Sequence, residues 1–248
     1  MTVENEVDLE GLKRIGRIVA QALREMKKNV RPGITTAELD EIGANFLEKH
    51  GARSAPVLAY NFPGSTCISV NDEAAHGIPG ARALQPGDLV NLDVSAELDG
   101  YYADTAAMAV VPPVSPLKAR LVRCTRRALD QAIGVARAGQ LISAIGRTVE
   151  NEARKCGFTT LHDLGGHGVG RGIHEEPHAI PNYYSPFERR RLTEGQVITI
   201  EPFLTTGANH VVTQFDGWTL KTADGGLSAQ FEHTLVITRG RPLVVTAL

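Results

Sequence analysis

LQPGDLVNLDVSAELDGYYADT, residues 84–105, is the stretch whose reading decides the fold. Leu89, Val90, Leu92 and Val94 spell an apolar strand, and Asp99-Gly100 is a strong two-residue hairpin signal after it. A turn at that point pairs Leu98 with Tyr101 and Ser95 with Asp104. Asp93 then stands two residues from Ser95 on the same face, which makes the Asp93 and Asp104 carboxylates diagonal neighbours, roughly 7–8 Å apart. A carboxylate inside an apolar strand has to be protonated, paired or metal-bound. On this stretch alone two readings stay open: an edge-strand acid that caps or salt-bridges, and half of an ion-binding site.

On the N-terminal side, Leu9, Leu12, Ile15, Val19, Leu23 and Met26 share one helical face within residues 8–29. Arg31-Pro32-Gly33 ends that helix. Thr35 with Glu38 is a capping box that opens a second helix as far as Lys49, and Gly51 is its stop. Residues 56–64 read as irregular, and a short strand is expected around Ile68 and Val70. Beyond the hairpin, Ser115-Pro116 reads as an N-cap with proline in the first helical position. Helices are expected over 116–137 and 142–156, with Gly157 as a stop. Strands are expected over 196–201, 210–215, 218–222, 230–238 and 242–246.

The chain also resembles itself. Arg31-Pro-Gly33, a helix and Gly51 recur as Arg137-Ala-Gly139, a helix and Gly157. Leu84-Gln-Pro-Gly87-Asp-Leu-Val90-Asn-Leu-Asp93 recurs, at nearly the same offset, as Leu192-Thr-Glu-Gly195-Gln-Val-Ile198-Thr-Ile-Glu201. The expectation is an internal duplication: one domain over 1–248 with halves of about 1–112 and 113–248, each reading helix, helix, strands, packed about a pseudo-twofold axis. Asp93 and Glu201 are then counterparts, each ending an apolar strand.

Bulk properties narrow the class. A hydrophobic share of 42% and a charged share of 22% describe a globular chain, and 248 residues suffice for an ample core. A net charge of -2 gives no reason to expect a nucleic acid or an anionic membrane as partner. Cys67, Cys124 and Cys156 lack metal-type spacing, which argues for a reducing compartment and against a disulfide framework. The acidic MTVENEVDLE start is unlike a signal peptide and no long apolar run occurs, so a cytoplasmic location is expected.

The second half supplies the remaining chemistry. Gly165-Gly-His167-Gly-Val-Gly170-Arg-Gly-Ile-His174-Glu-Glu-Pro177 joins five glycines to two histidines, so backbone can approach closely around a histidine aimed into a site. Its glycine spacing does not suit a phosphate loop. Glu201 ends ITIEP, and Glu232 sits in AQFEHTLVI, an acid within an apolar strand. Four such acids and His167, in a glycine-lined turn, offer oxygen and one imidazole but no thiolate. That donor set suits a pair of divalent first-row cations better than a structural zinc.

These residues resemble the five-ligand site of the methionine aminopeptidases, and the likeness spans nearly the whole chain. It is carried by NDEAAHGIPG around His76, the Asp99-Gly100 turn between the two aspartates, GGHGVGRGIHEEP, ITIEP and LSAQFEHT. The resemblance implies an α+β pita-bread fold, two pseudo-twofold-related halves with antiparallel sheet covered by helices. It implies two divalent metal ions (Mn, Fe, Co or Zn), with Asp93 chelating one, Asp104 and Glu232 bridging, and His167 and Glu201 holding the other. His76 and His174 would contact the scissile amide and carbonyl, Glu201 would shuttle a proton, and a hydroxide bridging the metals would attack. Tyr60, Phe62, Cys67 and Trp218 would line the methionine pocket, where a polarisable thiol suits a thioether. The remaining histidines, His50, His162, His178, His210 and His233, read as surface or supporting groups.

The implied function is removal of the initiator methionine from nascent chains by a type I enzyme, with a monomer, a transient ribosome contact, no nucleic-acid specificity and no membrane partner expected. Type II enzymes carry a long helical insertion for which there is too little chain between Glu201 and Glu232. The Tyr60-Asn-Phe62-Pro63 loop is shorter than the family's usual one, and Ile173 stands where an aromatic residue is common; both touch the pocket. An Xaa-Pro aminopeptidase or prolidase is the enzyme alternative, although those usually carry a separate N-terminal domain. A metal-free binding protein on the same scaffold is the other alternative, and it would be expected to have lost ligands.

Overall fold

The computed structural model describes residues 1–247. The first part of the chain runs through α1 (Glu6–Lys28), α2 (Thr36–Lys49), β1 (Arg53–Ser54), α3 (Ala55–Tyr60), β2 (Cys67–Val70), β3 (Glu73–Ala75), β4 (Leu89–Leu98) and β5 (Tyr101–Val110). The second continues with α4 (Pro116–Val135), α5 (Ile142–Lys155), β6 (Thr159–Thr160), β7 (Gly165–Gly168), β8 (Glu175–Pro181), β9 (Val197–Ile200) and β10 (Phe203–Thr205). It closes with β11 (Val211–Thr213), β12 (Leu220–Thr222), β13 (Ser228–Gln230), β14 (His233–Val236) and β15 (Leu243–Val244).

Local chemistry accounts for the helices. The Asn5 side chain accepts from Asp8 N to start α1. At α2 the expected capping box is complete: Glu38 N donates to Thr35 Oγ1 at 3.1 Å and Thr35 N donates to Glu38 Oε2 at 2.7 Å. Ser115 caps α4, whose first residue is Pro116. The apolar face of α1 packs with Leu39 and Leu47 of α2 against Val90, Leu92, Val94 and Ala103 of the hairpin. A second cluster sets Leu121, Leu129, Ile145 and Val149 of α4 and α5 against Ile198, Ile200, Leu204 and Leu235. Helices therefore cover the strands in both parts, and burial of these side chains, each worth roughly 1.5–3 kcal/mol, holds the layers together.

All strand pairings are antiparallel. The longest pair is the expected hairpin, in the expected register: Leu98 faces Tyr101 and Ser95 faces Asp104. Asp99 and Gly100 both have positive φ, +52° and +80°, the backbone of a two-residue turn matched to strand twist. On its other side β4 pairs with β1 and β2. In the second part five strands lie in the order β15-β14-β9-β7-β8. The parts match in detail around Gly33 and Gly139, both with φ +85°. Gly33 N donates to Leu84 O and Gly139 N to Leu192 O, each at 2.8 Å. Gly87 and Gly195 likewise donate to Val111 O and Ile237 O.

Several expectations are corrected. Residues 55–60 form a helix, α3, inside the segment read as irregular; Ser54 caps it and Asn61 ends it at φ +54°. The strands β6, β7, β8 and β10 lie where none was expected, because runs this short carry little periodic signal. His167 lies in β7, within a strand and not a turn. Glu232 falls between β13 and β14: its N–H donates to Ala106 O and its carbonyl accepts from Thr105 Oγ1, so backbone there bonds across to β5 and leaves both sheets. Cys124 and Cys156 are joined in a disulfide, contrary to the reading of a reducing compartment without disulfides; packing of α4 beside α5 brings together cysteines whose sequence spacing shows no pattern. No helix among the described residues is long and apolar enough to cross a membrane.

Candidate metal centre

The hairpin register carries two of the carboxylates. Asp93 faces Ala106 on β5 and Cys67 on β2, while Asp104 faces Ser95. Asp104 is locked in place from the second part of the chain: its N–H donates to Thr234 Oγ1 at 2.9 Å, and Thr234 Oγ1 donates back to its carbonyl at 2.8 Å. His167 is set by close backbone packing. A Cβ on Gly165, Gly166 or Gly168 would stand 2.3–2.4 Å from a carbonyl oxygen of Ile180, Thr199 or Glu176, so only glycine admits β7 between its neighbours. His167 N donates to Thr199 Oγ1, and its Nδ1–H donates to Gly168 O at 2.9 Å. That leaves the Nε2 lone pair free to face the acids.

Nε2 lies 3.6 Å from Glu201 Oε1 and 4.0 Å from Asp104 Oδ2. Single donor atoms of Asp104, His167 and Glu232 all fall within 4.8 Å of one another. Asp104 Oδ1 and Glu232 Oε1 are buried without any hydrogen-bond partner. Burial is the largest cause that raises all four carboxyls, Asp93, Asp104, Glu201 and Glu232; Asp104 reaches about 6, and the charge of Asp104 adds to the rise of the other three. His167 is pushed down to about 3 by burial and by His174, so it is neutral. Among the described residues no lysine or arginine pairs with any of these four acids. A buried acid cluster with orphaned oxygens and a neutral imidazole fits bound divalent cations, which would replace the missing positive charge.

Every residue singled out from the sequence for the site lines one cavity of about 220 Å³: the five donors with Tyr60, Phe62, Cys67, His76, His174 and Trp218. Pro56, Ser95 and Ile173 join them. Phe62 and Trp218 meet edge to face with ring centroids 5.2 Å apart, forming an aromatic wall. Burial, followed by the charges of Asp93 and Asp104, drives the Cys67 thiol up, so it remains a neutral, polarisable group. Burial lowers His76 and His174 as well, with further lowering of His174 by His76 and His178. A second cavity, about 260 Å³, reaches His76, His167, His174 and Glu201 from the side of His162 and Tyr183.

Sequence reading missed Gln230 and Asn91. Gln230 Nε2 donates to Glu201 Oε2 at 2.9 Å, and Asn91 Nδ2 donates to Gln230 Oε1. Both lie in quoted motifs, two residues before an acid, so strand alternation was the available signal. Asn182, which donates to Glu201 O at 3.0 Å, had none.

Comparison with known proteins bears on this geometry. The pattern of metallopeptidase family M24 matches residues 10–239. The chain is 49% identical over 249 aligned positions to methionine aminopeptidase 2 of Bacillus subtilis, covering all of both. It is 44% identical to a methionine aminopeptidase of Staphylococcus epidermidis, covering 100% of this chain and 99% of that one. Among solved structures, the methionine aminopeptidase of Rickettsia prowazekii superposes with a TM-score of 0.95 at 36% identity, covering 100% of each chain. A prolidase from Pyrococcus furiosus has a TM-score of 0.81 at 20% identity, covering all of this chain and 66% of that one, a likeness of fold alone. These matches bear out the α+β pita-bread architecture expected from the sequence.

Proposed function

The chain belongs to metallopeptidase family M24, and on that premise we propose that it is a metal-dependent aminopeptidase that removes the N-terminal methionine of proteins and peptides. The observation that carries this reading is the cavity in which a buried acid cluster with orphaned oxygens meets two neutral histidines and an aromatic wall. Asp93, Asp104, His167, Glu201 and Glu232 would hold two divalent cations, of manganese, iron, cobalt or zinc. Such cations, when bound, acidify water and polarise a peptide carbonyl.

The protein's own groups then divide the work. Glu201 takes a proton from the attacking water and delivers it to the leaving amine; the Gln230 amide fixes one of its oxygens for that task. His174 and His76 donate to the oxygen on which negative charge develops. Phe62, Cys67 and Trp218 enclose an unbranched apolar side chain, and Ile173 completes the enclosure. The two matched parts work as a single catalytic unit over 1–248, since each contributes donors to one site. Action on nascent chains in the cytoplasm, as a monomer in transient contact with the ribosome, extends the same reading.

Peptide preference tests it. Protein supplied with each of the four cations in turn is expected to release methionine from Met-Ala-Ser far faster than it cleaves peptides beginning Ala-Pro. Preference for the proline peptides would replace the assignment with an Xaa-Pro enzyme. No cleavage and no bound cation under any condition would replace it with a binding protein.

A further inference from the structure

Tyr60 lies at the end of α3 and reaches over the cavity to His174. Its hydroxyl is 2.5 Å from His174 Nδ1, and the two rings are tilted with centroids 5.6 Å apart. His174 also packs against the His167 ring, at 4.2 Å between centroids. Among the described residues the His174 ring makes no other hydrogen bond. The segment that carries Tyr60 is itself anchored. Ser54 Oγ donates to Ser65 O at 2.8 Å, and Asp40 accepts from Ser65 N and Thr66 N. The left-handed Asn61 fixes the exit from the helix.

A hydroxyl so placed has a chemical consequence. A neutral imidazole carries one ring proton, on either Nδ1 or Nε2. The Tyr60 phenol keeps its proton, because burial raises it, so its hydroxyl is able to donate to Nδ1. Nδ1 accepts that bond only in the tautomer with the proton on Nε2. Tyr60 is also more open than Phe62 beside it: it is 44% exposed, whereas Phe62 is 4% exposed.

We propose that Tyr60 is a positioning residue for the reaction, its hydroxyl holding His174 in the Nε2–H tautomer and turning that N–H toward the scissile carbonyl. The proposal rests on the aminopeptidase reading of the site, and it assigns Tyr60 to turnover in place of side-chain binding. Tyr60→Phe removes one oxygen from a half-exposed ring, so the fold should survive, which circular dichroism checks. With a Met-Ala-Ser peptide and cation-loaded protein, kcat should fall by about ten- to a hundred-fold, as when a partner that orients a histidine is lost, with KM little changed. On a His174→Gln background the same substitution should have no further effect on kcat. Nitrogen-15 spectra of the imidazole rings, recorded with a diamagnetic divalent cation bound and assigned by His174→Gln, should show a protonated Nε2 that becomes a tautomer mixture in Tyr60→Phe. A kcat close to that of the unaltered protein, an additive loss on the His174→Gln background, or an unchanged tautomer would each overturn the proposal. If the unaltered protein released no methionine, the aminopeptidase reading would fail while the spectra still decided the tautomer.

Discussion

Glu201 concentrates the chemistry at the scale of single residues. It directly follows β9, lies beside His167 Nε2 and accepts from Gln230, the placement behind its proposed roles as cation ligand and proton carrier. Glu201→Gln is expected to lower kcat at least ~10²–10⁴-fold, the range for a lost general base, with the unfolding transition still cooperative; retained turnover would remove the proton-shuttle role. The acids also make a pH prediction. A carboxyl whose folded pKa is raised favours folding in its protonated form. That stability is present below its unfolded value of about 4 and is lost as pH rises through the folded value, about 6 for Asp104. Cation-free protein should therefore lose stability as pH rises across that window. Added cation should restore it, releasing protons on binding and binding more weakly as pH falls below 6. Calorimetry in two buffers of different ionisation heat measures the released protons, and a zero count would contradict the raised values. Acids in apolar strands were legible because burying them is costly. The polar side chains that steady them were not, since Asn91, Gln230 and Thr234 are unremarkable in sequence and acquire partners only across sheets.

Among the elements, β7 shows how backbone packing places His167, a proposed cation ligand. Gly166→Ala would put a Cβ 2.3 Å from Thr199 O, so β7 and β9 would have to part. The expected cost is about 1–3 kcal/mol or more, with weaker cation binding because His167 moves with its strand. Gly139→Ala is the control: its φ is +85° but nothing stands within 4 Å, so about 1–2 kcal/mol of backbone strain is expected with cation affinity unchanged. Urea unfolding and cation titration of the pair separate the two effects; equal affinities would show that β7 spacing does not set the site. The β4–β5 hairpin was readable to the residue, because an Asp-Gly turn fixes register locally. By contrast β7 could only be read as a glycine-rich turn, since its strand character comes from neighbours distant in sequence. The same holds for Glu232, whose backbone bonds with β5 break the strand that its apolar surroundings suggested.

At the scale of the whole molecule, a site with donors from both parts depends on how those parts meet. Thr234 and the Phe231-Glu232 break tie β14 to β5, so the Asp104 and Glu232 carboxylates are held by bonds that join the two. The recurrence of helix, helix and strand could be read from sequence because turn glycines and apolar helix faces are local signals. The joined Cys124 and Cys156 could not, because the packing of α4 against α5 creates that proximity. The central claim is that this assembled site removes methionine from a free N-terminus only when divalent cations fill it. Mass spectrometry of a Met-Ala-Ser peptide exposed to chelator-stripped and then cation-restored protein tests it most directly. Loss of one methionine residue, only after cation is restored, is the predicted result; equal loss from stripped protein, or cleavage at any other bond, would contradict it.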